Sequence, residues 1–135
     1  MESIVLQITT GTTRATYDIT AEVQRFAADR TDGLVNVFVP HATAGVAIME
    51  TGAGSDADLM ARIDELLPPR DDLYRHRHGR PGHGADHLLP AFVTPSVSVP
   101  VMGGRLALGT WQSILLVDPN ADNPVRQVRL SHVPG

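Results

Sequence analysis

Histidine is the residue type that gives this sequence most of its potential chemistry. His76, His78, His83 and His87 lie close together in the chain, and His41 lies far upstream. A neutral imidazole is a good ligand for divalent transition metals, and imidazole also exchanges a proton near neutral pH. We therefore expect His41, His76 and His87, which come from different segments, to share a site as metal ligands or as general acids and bases.

The spacing of these histidines leaves their role open. We expect no two of them to form an i, i+4 ligand pair on a helix, so one or more could be an ordinary surface or core-edge residue. His78 and His83 are expected in a solvated loop. Asp86 precedes His87 and either binds a metal or hydrogen-bonds a ligating imidazole. Because the chain has no cysteine, a metal site must use imidazole, carboxylate, carbonyl or water ligands.

Several other polar residues have both a functional and a structural interpretation. Glu50 follows a predicted strand and is either an acid/base group or metal ligand, or an ordinary loop carboxylate. Thr43 and Gly45 offer a hydroxyl and open backbone amides to a phosphate, or they form a turn. Arg75 belongs to a strip of arginines that either binds an anionic substrate or pairs with neighbouring aspartates.

The only tryptophan lies in the segment Gly109-Thr110-Trp111-Gln112. An indole beside a glutamine amide is suited to stacking on, and hydrogen bonding to, a flat heterocycle such as a pyrimidine. The alternative is that Trp111 belongs to the hydrophobic core, as a lone tryptophan often does.

Length and composition favour one domain over residues 1–135 with a core large enough to need no disulfide. The net charge of -4 does not suggest a broad nucleic-acid surface. The N-terminal residues have no basic region and no long apolar run, so we expect neither a signal peptide nor a membrane span. The expected location is the cytoplasm.

Hydrophobic periodicity predicts the elements that must position these residues. Alternation predicts strands over 3–9 and 15–19, and apolar runs predict strands over 34–39 and 46–49. A helix is expected over 21–29 with Thr20 as its N-cap, and a second from Ser55 to the prolines at 68 and 69. The apolar stripe of that second helix is expected to contain Leu59, Ile63, Leu66 and Leu67.

The remaining chain divides into a long loop and a strand-rich end. Residues 70–90 have no apolar periodicity, and a loop of this length in a compact domain is often functional. Strands are expected over 97–101, from Leu106, over 114–117 and around Val128, with Pro100 at an edge or a bulge. The predicted fold class is α+β, with a β-sandwich-like core of mostly antiparallel strands and two helices.

Four ordered segments together resemble the YjbQ-like family, whose members are often labelled secondary thiamine-phosphate synthase. The main signature is Ser96-x-x-Val99-x-Val101-x-x-Gly104-x-x-x-x-Gly109-Thr110-Trp111-Gln112-x-Ile114. The other segments are His41-Ala42-Thr43-Ala44-Gly45 through Glu50, the helix from Asp58-Leu59 to Pro68, and the pair Tyr74-Arg75-His76 and Ala85-Asp86-His87-Leu88. The match covers nearly the whole chain.

The resemblance implies an α+β subunit that forms a homotrimer and has a site lined by histidines. It favours a shared site of His41, His76 and His87 with a divalent metal, zinc or magnesium. The implied activity joins hydroxymethylpyrimidine diphosphate to a thiazole phosphate, so the ligand would be a small phosphorylated or heterocyclic molecule. A non-catalytic metal- or anion-binding trimer is the alternative. Met49 and Ala42 replace polar residues that are usual in the family beside His41.

Overall fold

Eight β-strands arranged in two sheets form the frame of the computed structural model, which describes all 135 residues. The strands are β1 (Glu2–Thr9), β2 (Ala15–Asp18), β3 (Gly33–Phe38), β4 (Gly45–Met49), β5 (Ser96–Met102), β6 (Arg105–Leu106), β7 (Ser113–Asp118) and β8 (Val125–Pro134). One sheet has the order β1-β8-β3-β5-β6 and the other β2-β7-β4. All neighbouring strands are antiparallel, as the short connections predicted.

Three α-helices join the strands, one more than the sequence predicted. They are α1 (Thr20–Ala27), α2 (Ser55–Leu66) and α3 (His83–Asp86), and 3-10 turns occupy Asp71–Leu73 and Leu89–Ala91. The helix α3 lies in the segment that was expected to be a loop. None of these helices has the length and hydropathy needed to cross a bilayer.

The apolar side chains form two cores that share β7. Ile114 and Leu116 face the five-stranded sheet, where they join the larger core with residues such as Val35 and Val37 of β3. Leu115 and Val117 point to the opposite side, because side chains alternate along a strand, and they pack with residues of α2. The molecule is therefore layered, with α2 and the following segment covering the outer face of the smaller sheet, and the α+β prediction is confirmed.

Two local predictions about the helices were wrong. Thr20 is the first residue of α1 and Ile19 is the N-cap, while the Asp18 carboxylate accepts the Thr20 backbone N–H at 2.9 Å. Leu66 was assigned to the buried stripe of α2, yet 56% of it is exposed, whereas Ile63 and Leu67 are buried. The buried stripe of that helix is thus narrower at its C-terminal end than the apolar pattern suggested.

Pro100 sits where its missing N–H does little harm. It pairs with Leu34 of β3 on one side, while β6 is so short that it pairs only with Val101 and Met102 on the other. The strand β5 is therefore open along much of that edge, in agreement with the predicted edge position.

Candidate metal-binding site

The four histidines between residues 76 and 87 form one cluster. Their candidate ligand atoms, one from each residue, all lie within 4.8 Å of one another. The ring centroids of His76 and His78 are 3.9 Å apart, and those of His76 and His87 are 4.2 Å apart. We call His76, His78, His83 and His87 the four-histidine cluster.

The short helix α3 brings two members of the cluster together. His83 is its first residue and His87 follows its last, so the two rings lie one helical turn apart on the same side. Their Nε2 atoms are 2.7 Å from each other. Gly79 adopts φ +80°, and a Cβ there would lie 2.7 Å from the His83 ring, so only glycine permits this approach.

Hydrogen bonds fix the segment that carries His76 and His78 against α3. The Asp71 carboxylate accepts the backbone N–H of Gly82 at 2.8 Å, just before α3 begins. The Tyr74 hydroxyl donates to the carbonyl oxygen of Pro68 at 2.7 Å, which ties the segment to the end of α2. The cluster thus rests on an ordered arrangement rather than on a solvated loop.

A group of acidic and amide side chains supports the cluster from the β7–β8 connection. The Asp122 carboxylate lies 2.7 Å from Nδ1 of His83, and its other oxygen forms an ion pair with Arg80 at 2.9 Å. The Asn120 amide donates to the buried Asp86 carboxylate at 3.0 Å. Asp86 therefore serves as a hydrogen-bond acceptor behind the cluster.

The environment favours the neutral, metal-binding form of the imidazoles. Burial lowers the pKa of His76, and the charges that His78 and His83 carry when protonated lower it further. Burial and the neighbouring histidines act on the pKa of His87 in the same direction. Burial raises the pKa of Asp86, against the opposing effect of its hydrogen bond from Asn120.

The donor set of this cluster fits zinc and does not fit magnesium. Four imidazole nitrogens match the ligands that zinc binds, whereas magnesium prefers oxygen ligands in an octahedron. One ring nitrogen, Nδ1 of His76, is shielded from solvent and has no hydrogen-bond partner. An unpaired buried nitrogen costs free energy, so the apo arrangement leaves this atom in need of a partner.

Two clefts give access to the cluster. One cleft runs beside His83 and is also lined by Arg14, Arg80, Asp86, Asn120 and Asp122. A second cleft borders His76 and His78 and also contacts Arg77 and Arg80. Guanidinium groups therefore flank the histidines on both approaches.

His41 does not belong to this cluster. Its Nε2 accepts the backbone N–H of Gln127 on β8 at 2.9 Å. Burial lowers the pKa of His41, and the nearby charge of Arg126 lowers it further. Within one chain, the expectation that His41 shares a site with His76 and His87 is therefore not met, because the exit of β3 directs this ring toward β8.

Thr43 and Gly45 have structural roles in this fold. The buried Thr43 hydroxyl accepts a hydrogen bond from Arg126 at 2.9 Å. A Cβ at Gly45 would lie 2.1 Å from the carbonyl oxygen of Val93, so this glycine permits the close approach of a neighbouring segment. These contacts favour the structural interpretation of Thr43 and Gly45 over phosphate binding.

The other predicted site residues lie at the surface. Glu50 and Arg75 are exposed. Trp111 is 75% exposed, which rules out the core alternative for this residue. The Gln112 side-chain oxygen accepts the backbone N–H of Gly109 at 2.8 Å, so this amide closes the turn that presents the indole.

Two of the four clustered histidines were missed by the sequence analysis. His78 was expected in a solvated loop, although it lies two positions from His76, as residues on one face of an extended segment do. His83 and His87 are separated by four residues, so the expectation that no i, i+4 pair exists was wrong. That spacing was the signal in the sequence, and the glycines around His83 obscured the single helical turn.

Known proteins match this sequence along nearly its whole length. The family described as UPF0047 protein YjbQ-like matches residues 4–134. The UPF0047 protein Rv2556c of Mycobacterium tuberculosis is 64% identical over 135 residues and covers 100% of both chains. The UPF0047 protein YugU of Bacillus subtilis is 40% identical over 113 residues, covering 81% of this chain and 83% of its own.

Solved structures share the fold. The hypothetical protein APE1520 of Aeropyrum pernix K1 superposes with a TM-score of 0.90 at 32% identity, covering 100% of both chains. A YbjQ-like protein of unknown function from Sulfolobus solfataricus P2 superposes with a TM-score of 0.83 at 25% identity, covering 99% of both chains. From the sequence match, the relatives and the fold together, the chain belongs to the UPF0047, or YjbQ-like, family.

Proposed function

We propose that the four-histidine cluster binds a divalent transition metal ion, zinc in the first place, as the centre of an enzyme that acts on a small molecule. The observation that carries this proposal is the convergence of four candidate imidazole ligands within 4.8 Å. Bringing four ionisable rings together opposes their protonation. A bound metal ion would give the neutral ring nitrogens a partner and would stabilise this arrangement.

The four ligands differ in their access to solvent, and this difference favours an enzyme. His76, His83 and His87 are partly buried, whereas His78 is exposed. We assign the three partly buried histidines as permanent ligands and His78 as the ligand that yields to water or substrate. Three protein ligands with one open position are the arrangement of catalytic zinc sites.

The surroundings favour an anionic substrate. Arg80 borders both clefts, and Arg14 lines the one beside His83. A guanidinium binds phosphate oxygens through paired hydrogen bonds. A bound divalent cation would stabilise negative charge on a leaving group, while Arg80 and Arg14 would bind and orient the phosphorylated end of the substrate. We therefore propose the thiamine-phosphate synthase-like reaction as the first activity to assay.

A non-catalytic metal-binding protein is the second candidate. If all four histidines bind at once, a tetrahedral zinc ion has no open position and serves binding or stability rather than catalysis. The 3.9 Å separation of the His76 and His78 rings is compatible with both residues binding the same ion.

Metal analysis of protein purified without an affinity tag tests the site. We expect about one equivalent of zinc per chain in the wild type and its loss in His87→Ala. His41→Ala is the matched control, because it removes an imidazole that lies outside the cluster, and it should keep its zinc. Wild-type protein that remains metal-free after zinc exposure and dialysis contradicts the proposal.

A turnover assay separates the two candidates. Zinc-loaded wild type that forms thiamine phosphate, together with inactive His87→Ala that has lost its zinc, supports the enzyme. His78→Ala should keep both its zinc and its activity, because it removes only the ligand that yields to water or substrate. Retained zinc with no turnover on a panel of phosphorylated heterocycles favours the binding protein.

The homotrimer and the cytoplasmic location remain proposals. The outer face of the five-stranded sheet is the surface we propose for contact with further copies of the chain. Exposed apolar residues lie on it in cross-strand register, such as Leu34 opposite Val133, each 45% exposed. Replacing Leu34 by Glu should dissociate the oligomer in light scattering, and an unchanged mass contradicts this surface.

A further inference from the structure

His83 is the only member of the four-histidine cluster with a carboxylate partner in the hydrogen-bond network. Its Nδ1 lies 2.7 Å from the Asp122 carboxylate, and its Nε2 lies 2.7 Å from Nε2 of His87. One side of the ring therefore faces the β7–β8 connection, and the other side faces the cluster.

The chemistry of the carboxylate decides the tautomer of this ring. An ionised carboxylate only accepts hydrogen bonds, so Nδ1 of His83 must carry the proton. The Asn120 amide nitrogen lies 3.1 Å from the same Nδ1, but it is a donor and cannot compete for that proton. In the neutral ring, the lone pair on Nε2 then lies on the cluster side, where it faces Nε2 of His87 at 2.7 Å.

We propose that Asp122 is a positioning residue, which holds His83 in the Nδ1–H tautomer and aims its Nε2 lone pair at the metal. The inference rests on the proposed metal site. A carboxylate behind a ligating imidazole fixes its orientation and increases its basicity. Neither Asp122 nor its loop was singled out by the sequence analysis.

Asp122 is itself held in place by two further contacts. Arg80 forms an ion pair with the second carboxylate oxygen, 2.9 Å from its Nε, and the Asp122 backbone N–H donates to the Asn120 side-chain oxygen at 2.9 Å. The carboxylate therefore has a defined direction toward His83. The same contacts are compatible with a competing explanation, in which Asp122 only holds its loop against α3.

Nitrogen-15 NMR of the metal-free protein tests the tautomer without depending on zinc. At neutral pH, His83 should be the Nδ1–H tautomer in the wild type and shift toward Nε2–H in Asp122→Ala. Asp122→Asn keeps an acceptor oxygen, so its His83 tautomer should shift less. If Asp122→Ala does not fold, the tautomer is measured in Asp122→Asn instead. A wild-type His83 in the Nε2–H tautomer overturns the proposal.

Zinc affinity, measured by competition with a chelator, tests the role. Asp122→Ala should weaken binding by about 10- to 100-fold, the usual loss when such a partner is removed. Asp72→Ala is the matched control, since it removes an exposed carboxylate of the same region whose partner is Arg70, and it should bind normally.

A double variant separates positioning from loop pinning. If Asp122 acts through His83, adding Asp122→Ala to His83→Ala should cost no further affinity. The proposal is overturned if Asp122→Ala lowers zinc affinity equally with and without His83, or if it does not lower zinc affinity at all. If the wild type binds no zinc, the proposed function fails, while the tautomer measurement still decides whether Asp122 sets the state of His83.

Discussion

Two polar regions lie next to each other in this molecule and differ in how their groups are satisfied. Around Arg126, which is 1% exposed, both Asp118 oxygens accept guanidinium hydrogen bonds at 2.8 Å, and Thr43 accepts another. In the four-histidine cluster, the rings are more exposed, the candidate ligand atoms converge, and Nδ1 of His76 is buried without a hydrogen-bond partner. The first pattern is that of a structural network, and the second is that of a binding site.

The two regions are also connected. The Asp118 carboxylate accepts the backbone N–H of Asn120 at 3.1 Å, and the Asn120 side chain contacts His83 and Asp86. The fully buried network therefore fixes the start of the connection that supports the cluster. Rigid support beneath a partly open group of ligands is the arrangement that a metal site requires.

The largest effect should come from breaking the structural region. Arg126→Met leaves the Asp118 carboxylate, which is 0% exposed, without its charged partner. We expect the free energy of unfolding to fall by about 3–5 kcal/mol in urea denaturation. A loss below about 1 kcal/mol would show that this pair is not the structural anchor described here.

Zinc should stabilise the binding region by a smaller amount. At a free concentration one hundred times the dissociation constant, it should add about 2.7 kcal/mol to the wild-type free energy of unfolding. His87→Ala should lose this increment, and His41→Ala should keep it, as measured by thermal or urea unfolding with and without zinc. Equal stabilisation of all three proteins would place the metal elsewhere.

The metal-free protein should lose stability as the pH falls below about 6.5, the ordinary pKa of histidine. The pKa values of His76 and His87 are lowered by folding, so the unfolded chain takes up protons first and stability decreases with acidification. His87→Ala should show a shallower decline between about pH 6.5 and 5. Asp86 titrates in both proteins with the opposite sign, so their difference isolates the histidine. An identical pH dependence contradicts the lowered pKa of His87.

The smallest effect is expected for Trp111→Ala. Because 75% of this residue is exposed, the free energy of unfolding should change by no more than about 0.5 kcal/mol. The same urea measurement applies. A loss of about 3 kcal/mol or more, typical of a buried tryptophan, would contradict the exposed position of the indole.

The sequence predicted the fold better than the site, and the reason is physical. Alternating residues such as Val97, Val99 and Val101 report directly which face is buried, because burial selects residue type at every second position. Most strands followed from such patterns, and their antiparallel arrangement followed from the short connections. The prediction that Leu66 is buried was wrong because an apolar side chain at the end of a helix need not be covered.

The site was harder to predict because tertiary contacts, rather than periodicity, define it. The single turn of α3 is too short to leave a hydrophobic pattern, and glycine conformations at Gly79 and Gly82 set the position of His83. Asp122 comes from a distant connection, and no local pattern links it to a histidine. His41 illustrates the reverse, since it was expected in the same site and, within one chain, its Nε2 accepts the backbone N–H of Gln127 on β8 instead.

The central claim is that His76, His78, His83 and His87, and not His41, form a metal site. Anomalous diffraction at the zinc absorption edge, from zinc-soaked crystals of the tag-free protein, tests it most directly. The predicted result is one strong peak per chain among these four rings, at about 2.0–2.1 Å from the ligating nitrogens. A peak at His41, or none within the cluster, would contradict it.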